Sequence, residues 1–243
     1  MTDVGGGAYR QGMDIILVPG LWLDASSWDP VLPALRAAGH RPVPLTMPGV
    51  GAPAAESADI GMADWVDAVV RLIDEADEPV VLVGHSGGGN VVWAAADARP
   101  ERVRRVVFVD SIPPAPGRGI GSLPIVDGVV PFPGWDFFPD EDVYDLDADT
   151  RARTAPLTRT VPARVPSDAL ALTRESRHGV PVTLLMGSYD QAQVDAEVGQ
   201  WGPHGEEYQA IASAEVVKIG SGHWPQLSVP DRLAELLVDA VAG

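Results

Sequence analysis

"VVLVGHSGGGNVVW", residues 80–93, holds four consecutive apolar residues, a break of small residues around a serine, and a second apolar stretch. The first run is continuous rather than alternating, which suits a strand covered on both faces, as in a parallel sheet packed between helices. The second run reads as a helix. Between them Gly84, His85, Ser86, Gly87 and Gly88 satisfy G-x-S-x-G in the strand-turn-helix setting that this pattern needs. Such a turn strains the serine backbone and crowds its neighbours, so residues without Cβ are required on either side. The Ser86 hydroxyl is then raised above the sheet, and the N–H of Gly87, at the start of the helix, is placed to donate to an oxyanion. The rival reading of a glycine-rich connection is a phosphate loop. The stretch has neither the G-x-x-x-x-G-K-[ST] spacing nor a nearby lysine, and it does not match G-x-G-x-x-G.

The same rhythm extends outward along the 243 residues. Runs at 14–18, 41–45, 103–109, 182–186 and 215–219 read as further strands. One helix lies between Pro30, a residue favoured at a first helical position, and Gly39, a C-terminal stop. A second, 62–76, sets Trp65, Val66, Val69, Val70, Leu72 and Ile73 on one face and Asp64, Asp67, Arg71, Asp74 and Glu75 on the other. A third, 230–241, closes the chain. The pattern predicts an α/β fold: a mostly parallel sheet of about six strands with helices on both faces. Residues 112–179 break the rhythm with Pro, Asp and the aromatic cluster "PFPGWDFFPDEDVY", and they hold one candidate short helix at 167–174. An insert of that length within a compact domain is uncommon unless it is functional, so it reads as a cap. The core is then 13–111 and 180–243, after a flexible N-terminus at 1–12.

Composition narrows the function classes. Seventeen basic against thirty-four acidic residues give a formal charge of −17, which repels phosphate backbones and anionic lipid surfaces, so neither nucleic acid nor membrane is an expected partner. No apolar run approaches the ~20 residues of a membrane span, and the opening residues lack signal-peptide character, so a cytoplasmic address is expected. With no cysteine, disulfides and thiolate chemistry are excluded. The five histidines are scattered and H-E-x-x-H is absent, so no metal and no other cofactor is expected.

A serine hydroxyl needs a base to remove its proton. His85 lies inside the turn with its side chain directed away from Ser86, His40 follows a helix stop, and His178 and His204 sit in polar loops and read as solvated. His223, in "VVKIGSGHWPQ", stands just past the carboxyl end of the last strand, where an open α/β sheet gathers its site residues. The third partner should be a carboxylate that fixes the imidazole tautomer. Asp190, in "TLLMGSYDQ" after the penultimate strand, gives the chain order Ser, Asp, His and is the preferred candidate. Asp110, at the end of "VVFVD", is its rival from the preceding strand.

Taken together, "LVPGLW" after the first strand, "GHSGGG" at Ser86, "GSYD" at Asp190 and "GSGHWP" at His223 resemble the α/β-hydrolase family, over nearly the whole chain from Asp14. "MPGVG" after the second strand resembles a small-residue loop of that family. The resemblance implies that the loop after the first strand supplies a second oxyanion N–H, a role that falls by position to Leu21. The family's His-Gly is replaced here by Pro19-Gly20. It also implies a lid where residues 112–179 lie. The chain is similar to the small esterases and lyases of the group.

The expected reaction is hydrolysis of a carboxylic ester, lactone or thioester of a small hydrophobic molecule. Trp22, Trp28, Trp135, Phe137, Phe138 and Tyr144 are candidate pocket residues, although cap aromatics also serve to pack a cap onto a sheet. Two other readings use the same residues: a non-hydrolytic enzyme of the family (hydroxynitrile lyase, cofactor-free haloperoxidase or oxygenase), and a ligand-binding module on the scaffold.

Overall fold

Strand runs and helical patterns alternate in the sequence, and the fold follows that alternation. In the computed structural model, which describes residues 12–243, β1 (Asp14–Val18) leads to α1 (Leu32–Ala37), β2 (Arg41–Pro44), α2 (Ala54–Ser57) and α3 (Met62–Glu75). Then come β3 (Val80–His85), α4 (Gly87–Ala98) and β4 (Val103–Val109). The insert carries β5 (Val129–Val130), α5 (Asp140–Val143), α6 (Ala148–Thr154) and β6 (Val161–Pro162). The chain returns through β7 (Val182–Met186), α7 (Gln191–Glu197), α8 (Pro203–Ala210), β8 (Ala214–Lys218), α9 (Pro225–Ser228) and α10 (Pro230–Ala242). The N-terminus expected to be flexible lies, apart from Gly12, outside the described residues.

Six strands form one sheet in the order β2-β1-β3-β4-β7-β8, with every neighbouring pair parallel. Successive side chains leave a strand on opposite faces, which explains the continuous apolar runs. Ile15, Leu17, Val81, Val83, Val107 and Val109 pack with Leu32 and Leu35 of α1 and with Leu233 and Leu237 of α10. Ile16, Val18, Val80, Leu82, Val106 and Phe108 pack on the other face with Met62, Trp65, Val69 and Ile73 of α3 and with α4. Each such fully buried side chain contributes about 1.5–3 kcal/mol. The glycines that open α4 let it approach the sheet closely. A Cβ on Gly88 would stand 2.5 Å from the carbonyl oxygen of Val18 and 2.6 Å from that of Pro19.

In the insert, β5 and β6 pair antiparallel, and Trp135, Val143 and Leu146 bury themselves against Leu23 and Trp224. The helix expected at 167–174 does not form. Its backbone donors are engaged elsewhere: Leu170 N–H donates to the Arg118 carbonyl at 3.0 Å, and the Asp97 carboxylate accepts from the N–H groups of Thr173 and Arg174. A single 3₁₀ turn at Glu175–Gly179 follows. There Arg177, buried, meets Glu207 of α8 at 2.7 Å and Asp97 of α4 at 3.2 Å, which joins the end of the insert to the core.

Because all six strands of the sheet are parallel, their carboxyl ends share one edge. The loops after β1, β3, β4, β7 and β8 meet there.

Candidate active site

β3 ends in a sharp turn. Ser86 has φ +51°, its N–H donates to the Val109 carbonyl at 3.1 Å, and its own carbonyl accepts from Gly89 N–H at 2.8 Å. A non-glycine residue in that region is strained, and the close packing of α4 holds it there. A Cβ at Gly84 would lie 2.6 Å from the Gly88 carbonyl oxygen, so the two flanking glycines of the motif answer to each other.

His223 arrives from the loop after β8. Its Nε2 is 2.9 Å from Ser86 Oγ, and its Nδ1 is 2.6 Å from Asp110 Oδ2. A carboxylate only accepts, so Nδ1 carries the proton and Nε2 presents its lone pair to the hydroxyl. Asp110 follows β4 directly, with φ +44°, and its other oxygen accepts from Gly187 N–H at 2.7 Å. Burial alone would raise this carboxyl's pKa; the hydrogen bond to His223, the electrostatic interaction with that ring and the Gly187 N–H together bring it below the ordinary value. The group therefore stays ionised beside the imidazole.

Asp190, the preferred carboxylate in the sequence reading, is not part of this chain of hydrogen bonds. It is exposed and caps α7: its Oδ1 accepts from Gln193 N–H at 3.0 Å, while Gln193 Oε1 accepts from Asp190 N–H at 3.1 Å. The spacing D-x-x-Q is that of a capping box, a signal that was legible in "DQAQ".

A cleft of about 460 Å³ opens beside Ser86 and His223. Its walls take Asn90, Ser111, Met186, Ser188, Tyr189 and His204 from the core and Ile112, Pro114, Ile120, Glu141 and Asp142 from the insert. Among the described residues no Lys or Arg lines it. Gly87 opens α4, so its N–H has no helical acceptor. The Leu21 side chain packs against that glycine, where an added Cβ would meet Leu21 Cγ at 3.1 Å.

None of the six aromatic pocket candidates lines this cleft. Trp28 is fully buried beneath the opposite face of the sheet. Trp135 and Phe138 pack on Trp224, with ring centroids 5.1 and 4.5 Å apart, and Trp22 packs on Phe132 and Phe138. Phe137 and Tyr144 point to solvent. Trp135 and Phe138 thus pack the insert against the loop of His223; Trp224 itself stands edge-on to the His223 ring at 4.8 Å. Two histidines read as solvated also have partners: His178 lies 3.2 Å from Glu207, and Nδ1 of His204, on the cleft wall, accepts from Ala115 N–H at 3.1 Å. Nothing in the local sequence marked Asn90, Ser111, Tyr189 or His204, because they meet only through tertiary packing.

The alpha/beta hydrolase family model matches residues 15–236, nearly the whole chain. The chain belongs to the alpha/beta hydrolase family. This hydrolase is 28% identical to a protein of Oryza sativa subsp. indica named probable esterase PIR7A, over 95% of this chain and 97% of that one. It is 27% identical to a carbendazim hydrolyzing esterase of Nocardioides sp., over 92% of this chain and 98% of that one. Among solved structures it is similar to an extracellular alpha/beta-hydrolase from a Paenibacillus species, with a TM-score of 0.75 at 21% identity, covering 94% of this chain and 98% of that one. Among the described residues no helix is long and apolar enough to cross a membrane.

Proposed function

We propose that this hydrolase cleaves small carboxylic esters through an acyl-enzyme formed on Ser86. The observation that carries the reading is the continuous chain from Ser86 Oγ to His223 Nε2 at 2.9 Å and from His223 Nδ1 to Asp110 at 2.6 Å. His223 takes the hydroxyl proton as Ser86 attacks the carbonyl, and it returns that proton to the departing alcohol. A water molecule then repeats the sequence to release the acid. Asp110, ionised, holds the imidazole in the working tautomer and stabilises it when it becomes a cation. The N–H groups of Gly87 and Leu21 receive the oxyanion; each such donor is worth about 10²- to 10³-fold in rate.

Ester hydrolysis is also the activity named for the relatives PIR7A and the carbendazim hydrolyzing esterase. The cleft supports an uncharged substrate. It offers apolar contact from Ile112, Ile120 and Met186, and its carboxylates, Asp110, Glu141 and Asp142, repel an anionic acyl group. The lyase reading needs a cation to hold a leaving cyanide, and among the described residues neither Lys nor Arg lines the cleft. The ligand-module reading leaves the aligned Ser86 and His223 without a use.

The test is hydrolysis of p-nitrophenyl acetate with fluorophosphonate labelling. The wild type is expected to turn over and to label at Ser86, while Ser86→Ala loses at least about 10³-fold in kcat. Wild-type turnover by Ser86→Ala sinks the proposal.

A further inference from the structure

The residue between the first glycine and the nucleophile takes no part in the proton path, yet it touches every segment that does. His85 is the last residue of β3 and is completely buried. Its ring lies 5.1 Å from that of His223, and its Nε2 is 2.7 Å from the backbone carbonyl oxygen of His223. On its other side, a Cβ at Gly20 would stand 2.7 Å from His85 Nδ1 and 3.1 Å from Ser86 Cβ. The nucleophile turn, the base loop and the loop of Leu21 therefore converge on this one imidazole.

The chemistry of the contact fixes the state of the ring. A carbonyl oxygen only accepts, so the proton is on Nε2. Nδ1 keeps a lone pair, and it is buried with no partner among the described residues. A second proton there would create an enclosed cation with no acceptor beside the His223 ring. Burial first, and then the electrostatic interaction with the His223 imidazole, accordingly push the His85 pKa down to about 3. His85 is a donor, and stays one, while His223 exchanges protons.

We propose that His85 is a positioning residue, whose Nε2–H bond to the His223 carbonyl sets the base against the Ser86 hydroxyl. The proposal rests on the reading of Ser86 and His223 as nucleophile and base. His85 and Ser86 are adjacent in the chain, so the hydrogen bond ties the backbone of the base to the residue covalently joined to the nucleophile. From the cap side, the Asp142 carbonyl accepts from the N–H of His223 at 2.8 Å and Asp145 Oδ2 accepts from Gly222 N–H at 2.8 Å. The loop is thus fixed from above by the cap and from below by His85. Without the lower bond the imidazole is free to drift, and a displacement of about 1 Å at such a site costs about 10²-fold in rate.

The test compares His85→Leu with His85→Gln, whose Nε2–H can reach the same carbonyl, on p-nitrophenyl acetate. Expected are a fall of about 10- to 10²-fold in kcat with KM nearly unchanged for His85→Leu, and recovery of most of that loss in His85→Gln. Wild-type kcat in His85→Leu, equal loss in both variants, or a change confined to KM would each overturn it. Should neither variant fold, nitrogen NMR of the wild-type imidazoles decides. A neutral Nε2–H form of His85 that does not titrate between pH 5 and 9 supports the proposal, and an Nδ1–H form overturns it. His223→Ala separates the two readings: wild-type turnover in that variant removes the base assignment itself, whatever His85 does.

Discussion

Asp110 and His223 are joined by a 2.6 Å hydrogen bond between residues 113 positions apart, whereas Asp190, on the next strand's loop, faces solvent and caps a helix. Asp110→Asn can still hold the ring but favours the wrong tautomer, and it is expected to lower kcat by about 10³- to 10⁴-fold. Asp190→Ala should leave kcat within about twofold and cost about 1 kcal/mol of stability through the lost cap. Steady-state kinetics and urea unfolding of the pair check both; the reverse pattern would hand the role back to Asp190.

The glycines of the turn respond to size. Gly88→Ala places a methyl group against the carbonyls of Val18 and Pro19, which are backbone atoms with little room to move. Overpacking of this kind costs about 1–3 kcal/mol, and here it also pushes α4 and Ser86 away from the first loop. A lower urea midpoint together with slower fluorophosphonate labelling is expected. Unchanged stability and labelling would show that the contact is soft.

Arg177 lies between two buried carboxylates, Asp97 and Glu207, and the Trp93 indole N–H also donates to Glu207 at 2.8 Å. Removing the cation in Arg177→Met leaves both buried acids without the guanidinium that offsets their charge, at an expected cost of about 3–5 kcal/mol in urea unfolding. The group does not line the cleft, so kcat at low temperature should stay near the wild-type value. A stable Arg177→Met protein would mean that the cluster is dispensable.

Acid should weaken the fold through His85. In the unfolded chain this ring takes a proton as the pH falls below about 6.5, while in the folded protein it does so only near about 3. Between those values the unfolded state binds the extra proton, so this contribution to stability is complete above the higher value and is lost as the pH falls toward the lower one. Asp110, held below its ordinary pKa, adds a loss of the same sign that begins as the pH falls past the ordinary carboxyl value. A thermal midpoint that falls from pH 7 to pH 4 in the wild type and falls less in His85→Gln is expected. Parallel curves would contradict it.

Much of this was legible in the chain. The strand runs, the helix signals, among them the amphipathic 62–76, and the G-x-S-x-G turn are local patterns, set by the backbone needs of strands, helices and a strained serine, and they placed Ser86 and His223 at the carboxyl edge of the sheet. The sequence also held the capping box of Asp190, a short-range signal that points to a helix start rather than to catalysis. What it did not contain was the choice between two carboxylates at neighbouring strand ends. That choice depends on the course of the loop after β7 and on the Gly187 N–H that turns Asp110 toward the imidazole, both products of long-range packing. The aromatic residues of the insert show the same division. Composition announced an aromatic cluster, but only the packing of Trp135, Phe138 and Trp224 against one another decided that it would join the insert to the loop of His223 and leave the cleft to Ile112, Ile120, Met186 and His204. Local chemistry fixes which residues can react; the closing of distant loops on one sheet edge fixes which of them meet.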